Sequence, residues 1–322
     1  LIMGTVDESN PGKASTCAEV DVEQIRKFFC AMLAGRLAPR AAEYVDKAAV
    51  EISAGVDLKR MGMLFALASR HARDRVLLDP SEEELTLAAK LVPGWNPERW
   101  GLLEALRARL WFARQDLDQA SCAEAVEALF AHADEGECRA LYRILPLLPD
   151  GLRFQWRMKE GCRTNIVPVF EAVACDNPYP ARHFEDVGWR QMAIKALFLG
   201  SPLWRVHGLD GRLDEELARM ALDLVEERSS AGRPIPADLW LCVGPFEQSR
   251  ALPMIAHEVD HGTEEGRCAG ILALGRALQE GRLEALIRAQ DPLLSPWAQA
   301  AQDGDCSQAA FSRLPGREAP NQ

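Results

Sequence analysis

The sequence predicts an all-α fold, and three observations lead there. Apolar positions recur at helical spacing along most of the chain, in stretches of a few turns closed by Pro or Gly. Aromatic residues make up only 7% while Ala and Leu are abundant, the reverse of what strands prefer. No stretch alternates apolar and polar residues for long enough to make a strand.

Taken in order, residues 1–18 are polar and are expected to form a flexible tail. Asp79-Pro80 ahead of Glu82, Glu83 and Glu84 marks a helix start, with Asp79 as N-cap, Pro80 in the first turn and acids at the positive end of the dipole. Pro93-Gly94 closes that helix. Asn96-Pro97 opens the next, which places Leu103, Leu106, Leu110 and Trp111 on one face. Helices over 121–133 and 137–148 follow, each ended by Gly or Pro. Leu213, Leu217, Met220, Ala221, Leu224 and Val225 fit the i, i+4, i+7, i+8 pattern of one buried stripe. Leu252 to Gln279 reads as a helix–turn–helix pair, its second member starting at Thr263-Glu264-Glu265. Residues 303–322, with Gly304, Pro315, Gly316 and Pro320, are expected to form a second flexible tail. The body between the tails, residues 19–302, is expected to be one helical-repeat domain.

Short turns between helices imply antiparallel pairs. Stacked pairs make a right-handed α–α superhelix, a solenoid of the HEAT or armadillo type, whose units of about 40–47 residues diverge heavily in sequence. A compact helical bundle is the alternative architecture.

Net charge is −11, from 37 basic and 48 acidic residues, with no Lys/Arg run and no basic–aromatic interleaving. Nucleic acid is therefore not an expected partner. The nine cysteines (Cys17, Cys30, Cys122, Cys138, Cys162, Cys175, Cys242, Cys268 and Cys306) are odd in number, irregular in spacing and never C-x-x-C. They read as small buried hydrophobes, not a disulfide framework or a zinc ribbon. That points to a reducing compartment, and the cytoplasm is the expected location. No segment is apolar over the length a bilayer requires, and the opening residues lack the order of a signal peptide. No phosphate loop or dinucleotide fingerprint occurs, and no cofactor is expected.

One motif invites a metal reading. His257-Glu258-Val259-Asp260-His261 is a literal H-E-x-x-H, the spacing that sets two zinc-binding histidines one helical turn apart beside a glutamate base. Gly262 follows at once, which makes His261 the expected last helical residue and Gly262 the C′ position. No third histidine follows, and no zinc site is expected; the competing reading is a helix ending with histidines at its negative pole.

Residues 163–212 depart from plain amphipathic helix. Over Arg163–Cys175, Asn165 is placed to cap, Pro168 falls in a first turn, and Val169, Phe170, Ala172, Val173 and Ala174 cover nearly every face around the lone charge of Glu171. Asp176 to Phe184 reads as a Pro-fixed extended loop carrying Asn177, Tyr179, Arg182 and His183. The helix Trp189–Leu199 is again mostly apolar, with Gln191 and Lys195 one turn apart. Two buried helices with single opposite charges imply that Glu171 and Lys195 meet, either as a ligand site or as a structural ion pair. The Gly-punctuated loop 200–212 adds Arg205 and Arg212, placed to grip an anion or to pair with Asp210 and Asp214. The candidate ligand-binding set is therefore Arg163, Asn165, Glu171, Asn177, Tyr179, His183, Gln191, Lys195, Arg205, Asp210 and Arg212, with no catalytic residue assigned.

The runs RTNIVPVFEAVACDNPYPARHF, WRQMAIKALFLGSPLWRVHGLD, ELARMALDLVEER and GRPIPADLWLCVGPF resemble the signature stretches of the EboA family. Weaker likeness extends through ALYRILPLLP and PGWNPERW, so that most of residues 60–246 are covered. The resemblance implies an accessory protein of a bacterial secondary-metabolite cluster, acting in metabolite traffic beside pathway enzymes and a membrane protein. It supplies a context and no mechanism. Its partner would be a small metabolite or a pathway enzyme, with peripheral association with a membrane partner open.

Three functions follow. The first is a non-catalytic adaptor or carrier. The second is an enzyme with a site built from Glu171, His183, Lys195 and Arg205, walled by Trp189, Phe198 and Trp204. The third is a zinc hydrolase at His257, Glu258 and His261. The carrier is the leading reading, because no nucleophile–base pair is evident in the sequence.

Overall fold

The computed structural model describes residues 20–73, 75–244 and 246–317. Among these the fold is all-α, and the one β feature is an isolated antiparallel bridge between Leu77 and Gly101. The first helices are α1 (Val22–Leu33), α2 (Pro39–Ser53), α3 (Leu58–Leu67), α4 (Glu82–Leu91), α5 (Leu102–Trp111) and α6 (Ala120–Phe130). Then come α7 (Glu135–Ile144), α8 (Gln155–Gly161), α9 (Val167–Ala174), α10 (Tyr179–His183), α11 (Asp186–Leu199) and α12 (Glu215–Ser230). The last are α13 (Gln248–His261), α14 (Glu264–Arg276), α15 (Glu280–Arg288), α16 (Leu294–Gln302) and α17 (Gln308–Phe311). No helix among the described residues is long and apolar enough to cross a membrane.

Alternate helices touch in series: α3 meets α5, α5 meets α7, α7 meets α9 and α9 meets α11, while α14 meets α16. The apolar pattern explains this spine. Leu103, Leu106, Leu110 and Trp111 of α5 are all buried, as their spacing predicts, and the flanking Ala105 and Ala108 let neighbouring helices approach from two sides. An aromatic cluster of Phe28, Phe29, Trp95, Trp100 and Phe112 fills the N-terminal end of the core, with ring centroids 4.9–5.8 Å apart. A buried charge cluster sits beside it. Glu104, 1% exposed, receives the Gly101 N–H at 2.6 Å and pairs with Arg139 at 3.0 Å and with Arg143.

Several starts differ from the sequence expectation. The α4 N-cap is Ser81, in a reciprocal capping box with Glu84; Asp79 instead adopts a left-handed φ of 50°. A Ser with Glu three residues on outcompetes Asp-Pro because it satisfies two orphan donors at once. Asn96-Pro97 does not open α5. Asn96 Oδ1 accepts the Glu98 N–H at 3.0 Å in a local turn, and the helix begins at Leu102. The pair α13–α14 forms as expected, with Thr263 accepting the Gly266 N–H as N-cap.

The largest difference lies at the C-terminus. Residues 303–317 do not form a loose tail but pack back on the body. Phe311 and Leu314 are buried, and Gln308 Nε2 donates to the carbonyls of Trp204 and Val206, each at 2.6 Å. Arg317 pairs with buried Asp238 at 2.6 Å and with Glu265 at 2.7 Å. Gly and Pro punctuate this segment without loosening it, because two apolar anchors and two polar clamps fix it. The expected N-terminal tail, 1–18, and residues 318–322 lie outside the described residues.

Candidate functional site

Pro168 falls in the first turn of α9 as expected, but the N-cap is Ile166. Asn165 is exposed and caps nothing; Thr164 Oγ1 accepts the Ile166 N–H at 3.1 Å in its place. Residues 176–184 are not an extended loop. The chain turns at Asp176, with a left-handed φ of 54°, and closes into α10. Asn177 and Tyr179 are buried cross-links. Asn177 Nδ2 donates to Ala172 O at 2.9 Å, its Oδ1 accepts the Tyr179 N–H at 2.9 Å, and the Tyr179 hydroxyl donates to Gly151 O at 2.6 Å. His183 leans on the Tyr179 ring, 4.5 Å between centroids, and against Gly151. Burial first, and Arg182 second, hold its pKa below the ordinary histidine value.

Glu171 does not meet Lys195. Glu171 Oε2 lies 3.7 Å from Arg205 Nη1, whereas the Lys195 ammonium stands over the Phe170 ring, 5.8 Å from its centroid. Successive helical residues point about 100° apart, so Phe170 and Glu171 address different neighbours. Arg205, only 8% exposed, also forks onto Asp176 Oδ2, from Nε at 2.9 Å and from Nη2. Burial alone would disfavour its charge, but the Asp176 carboxylate more than compensates and raises its pKa. Arg212 is equally engaged: it pairs with Asp186 at 2.8 Å and stacks over the Trp189 ring at 4.5 Å. Asp210 receives Arg276 at 2.9 Å and the Gln308 N–H at 2.7 Å, and Asp214 receives Arg190. The two arginines expected to grip an anion are thus structural.

What remains is divided between two open clefts. The first, about 450 Å³, lies between α8 and α11 and gathers Arg163, Gln191 and Lys195 from the expected set, with Lys159, Cys162, Phe184, Glu185, Gly188 and Met192. Lys159 pairs with Glu185 at 2.6 Å and Arg163 with Glu160 at 3.0 Å. Lys195 makes no ion pair among the described residues, and its floor is apolar: Phe170, Cys162, Met192 and Phe184. Burial pushes the Cys162 thiol up to about 12, with Lys195 opposing only in part, so it is a neutral wall and not a nucleophile. Phe198 is 59% exposed at the outer edge of α11, and Trp189 is fully buried, so neither walls this cleft.

The second cleft, about 440 Å³, lies between the 94–96 turn, the 204–210 loop and the C-terminal segment. It gathers Arg205 and Asp210 from the expected set, with Asp176, Asn96, Trp204, His207, Ser307, Gln308 and Ser312. Glu171, His183, Lys195 and Arg205 therefore do not converge on one site.

The H-E-x-x-H segment ends α13 at His261 as expected, but Gly262 is not left-handed, with φ −71°. His257 and His261 stack at 4.6 Å on the exposed face. Glu258 is buried toward α14, its Oε1 in the space beside Gly262 and Gly266. The glutamate is buried against the start of α14 while both histidines are exposed, so its carboxylate is committed to the helix packing. Among the described residues no three His, Cys, Asp or Glu side chains are grouped to hold a metal ion.

Comparison with protein-family models matches residues 25–244 to the family described as "Metabolite traffic protein EboA". The chain belongs to the EboA family. It is an accessory, metabolite-traffic protein, as the signature runs implied. Neither the curated proteins nor the solved structures contain a match to it. Both clefts draw on the matched region of this EboA member, but Ser307, Gln308, Ala309 and Ser312 of the second cleft lie beyond it. Sequence reasoning missed Asp176, Lys159 and Gln308. Lys159 was findable, since it stands one helical turn before Arg163. Gln308, about a hundred residues from its partners, was not.

Proposed function

We propose that this protein carries an anionic, partly apolar small metabolite in the α8–α11 cleft, without chemistry of its own. The observation that carries this reading is Lys195: a cation with no ion-pair partner among the described residues, held over an apolar floor in a chain of net charge −11. Lys159 and Arg163 at the rim are already paired with Glu185 and Glu160, which leaves Lys195 as the cation available to a ligand, and the volume is within the usual range for small-molecule sites. The dispersal of Glu171, His183, Lys195 and Arg205 favours a carrier over an enzyme.

The test is a fluorescence titration of the full chain with anilinonaphthalene sulfonate, an anionic aromatic probe, against neutral anilinonaphthalene. One saturable site is expected for the sulfonate, weakened about tenfold or more by Lys195→Met, a loss of about 1.4 kcal/mol. Equal affinity in wild type and Lys195→Met would sink the reading.

A pathway enzyme is the second partner we propose. By helical spacing Val187 and Phe198 share the α11 stripe of Gln191 and Lys195, and Trp156 shares the α8 stripe of Lys159. All three apolar residues are more than half exposed, which suits a docking rim around the cleft. We also read the helix order as a HEAT- or armadillo-like solenoid, a reading supported by the serial contact of alternate helices from α3 to α11.

A further inference from the structure

We propose that the cleft between the 204–210 loop and the C-terminal segment is a second small-molecule site, built for a neutral, polyhydroxylated ring. The first argument is charge. Arg205 is held between Asp176 and Glu171, and Asp210 is held by Arg276. Arg205 and Asp210 are thus each neutralised by partners within the protein, which leaves neither free for an oppositely charged ligand.

The second argument is spare hydrogen-bonding capacity of both signs. Asp176 Oδ1 accepts nothing among the described residues, because both Arg205 bonds go to Oδ2. Gln308 spends its amide N–H groups on two carbonyls and leaves Oε1 open. Asn96 Nδ2 has a second N–H to give, and the Ser307 hydroxyl caps no helix donor. Burial holds His207 below the ordinary histidine value, so at neutral pH it offers one donor and one acceptor. Alternating donors and acceptors around a ring are what a polyol presents.

The third argument is shape. Trp204, half-buried, lines the cleft; the Arg99 guanidinium stands 6.0 Å from its ring centroid, and the ring surface left open offers a flat wall on which the C–H face of such a ring stacks. The frame is fixed in advance. Asp176 N–H donates to Arg205 O at 2.9 Å, Gln308 pins the backbone at 204 and 206, and His207 is wedged against Gly94. Part of this wall comes from residues 307–312, which lie outside the family-matched stretch.

The test is saturation-transfer NMR on the full chain with methyl glucoside and inositol as neutral probes and glucose phosphate as the charged comparison. Probes at about 20 mM exceed the millimolar Kd expected of so few contacts. Transfer to the ring protons of at least one neutral probe is expected, lost in Trp204→Ala and retained in Lys195→Met. Ala309→Arg provides the fold-neutral control, since it fills the cleft from an exposed position; it too is expected to abolish transfer while leaving the thermal midpoint unchanged. The proposal is overturned by no transfer to either neutral probe, by transfer that survives Ala309→Arg, or by stronger binding of glucose phosphate.

Discussion

Lys195 and Arg205 belong to one signature run, yet the structure treats them oppositely. Arg205 is buried between two carboxylates, while Lys195 is half-buried at the mouth of a cleft with no carboxylate partner among the described residues. A charge that deep must be neutralised by partners, so Arg205 is part of the frame. A charge that keeps solvent contact can stay unpaired, at the cost of some desolvation, and remains available to a ligand. Within this segment, the degree of burial separates architecture from binding capacity more cleanly than residue type does.

The sharpest way to break that comparison is Arg205→Met. It leaves Asp176 and Glu171 as unmatched, largely buried acids and is expected to destabilise by about 3–5 kcal/mol in urea unfolding. The folded fraction should still bind anilinonaphthalene sulfonate as wild type does. A cost below about 1 kcal/mol would place Arg205 among surface pairs and dissolve the distinction. Gly94→Ala comes next. Its new Cβ would lie 2.3 Å from the His207 ring, at a residue with φ +85°, and a loss of about 1–3 kcal/mol is expected from the same unfolding measurement.

A smaller effect should appear with pH. His207 and His183 are held below the ordinary value of 6.5, chiefly by burial. Below that value the unfolded chain takes up protons that the folded chain resists, so stability falls as pH drops from about 6.5 toward the folded values. Urea midpoints should therefore fall on acidification, and His207→Gln should flatten part of the slope; a midpoint rising through that window contradicts the assignment. The smallest effect is expected from Lys195→Met on stability, within about 0.5 kcal/mol by thermal or urea unfolding. A larger loss would mean that Lys195 also belongs to the frame.

The helical class, the buried stripe of α5, the α13–α14 pair and the family were legible because each rests on local spacing. The start of α4 was misplaced by competition between two local signals, Asp79-Pro80 and the Ser81–Glu84 box. Pairing across the chain was not legible. Nothing near Glu171 in sequence announces that Arg205 is its partner, and nothing near Lys195 announces that it has none among the described residues. Spacing reports which face a residue takes on its own helix, but not which neighbour that face meets. The inward commitments of Asn177, Tyr179 and Arg212 were hidden for the same reason: polar residues in a signature run look alike whether they hold a ligand or a backbone carbonyl.

The Gln308 clamp sets an order of events in synthesis. The carbonyls of Trp204 and Val206 receive their donor only when a residue more than a hundred positions later has left the ribosome. Until then the loop that carries His207 and Asp210 is an unfinished surface. A product cut off before Arg317 would lack the clasp on Asp238, leaving a buried carboxylate without its cation. Proteolysis in the cell would then discriminate between whole and shortened chains by that missing clasp.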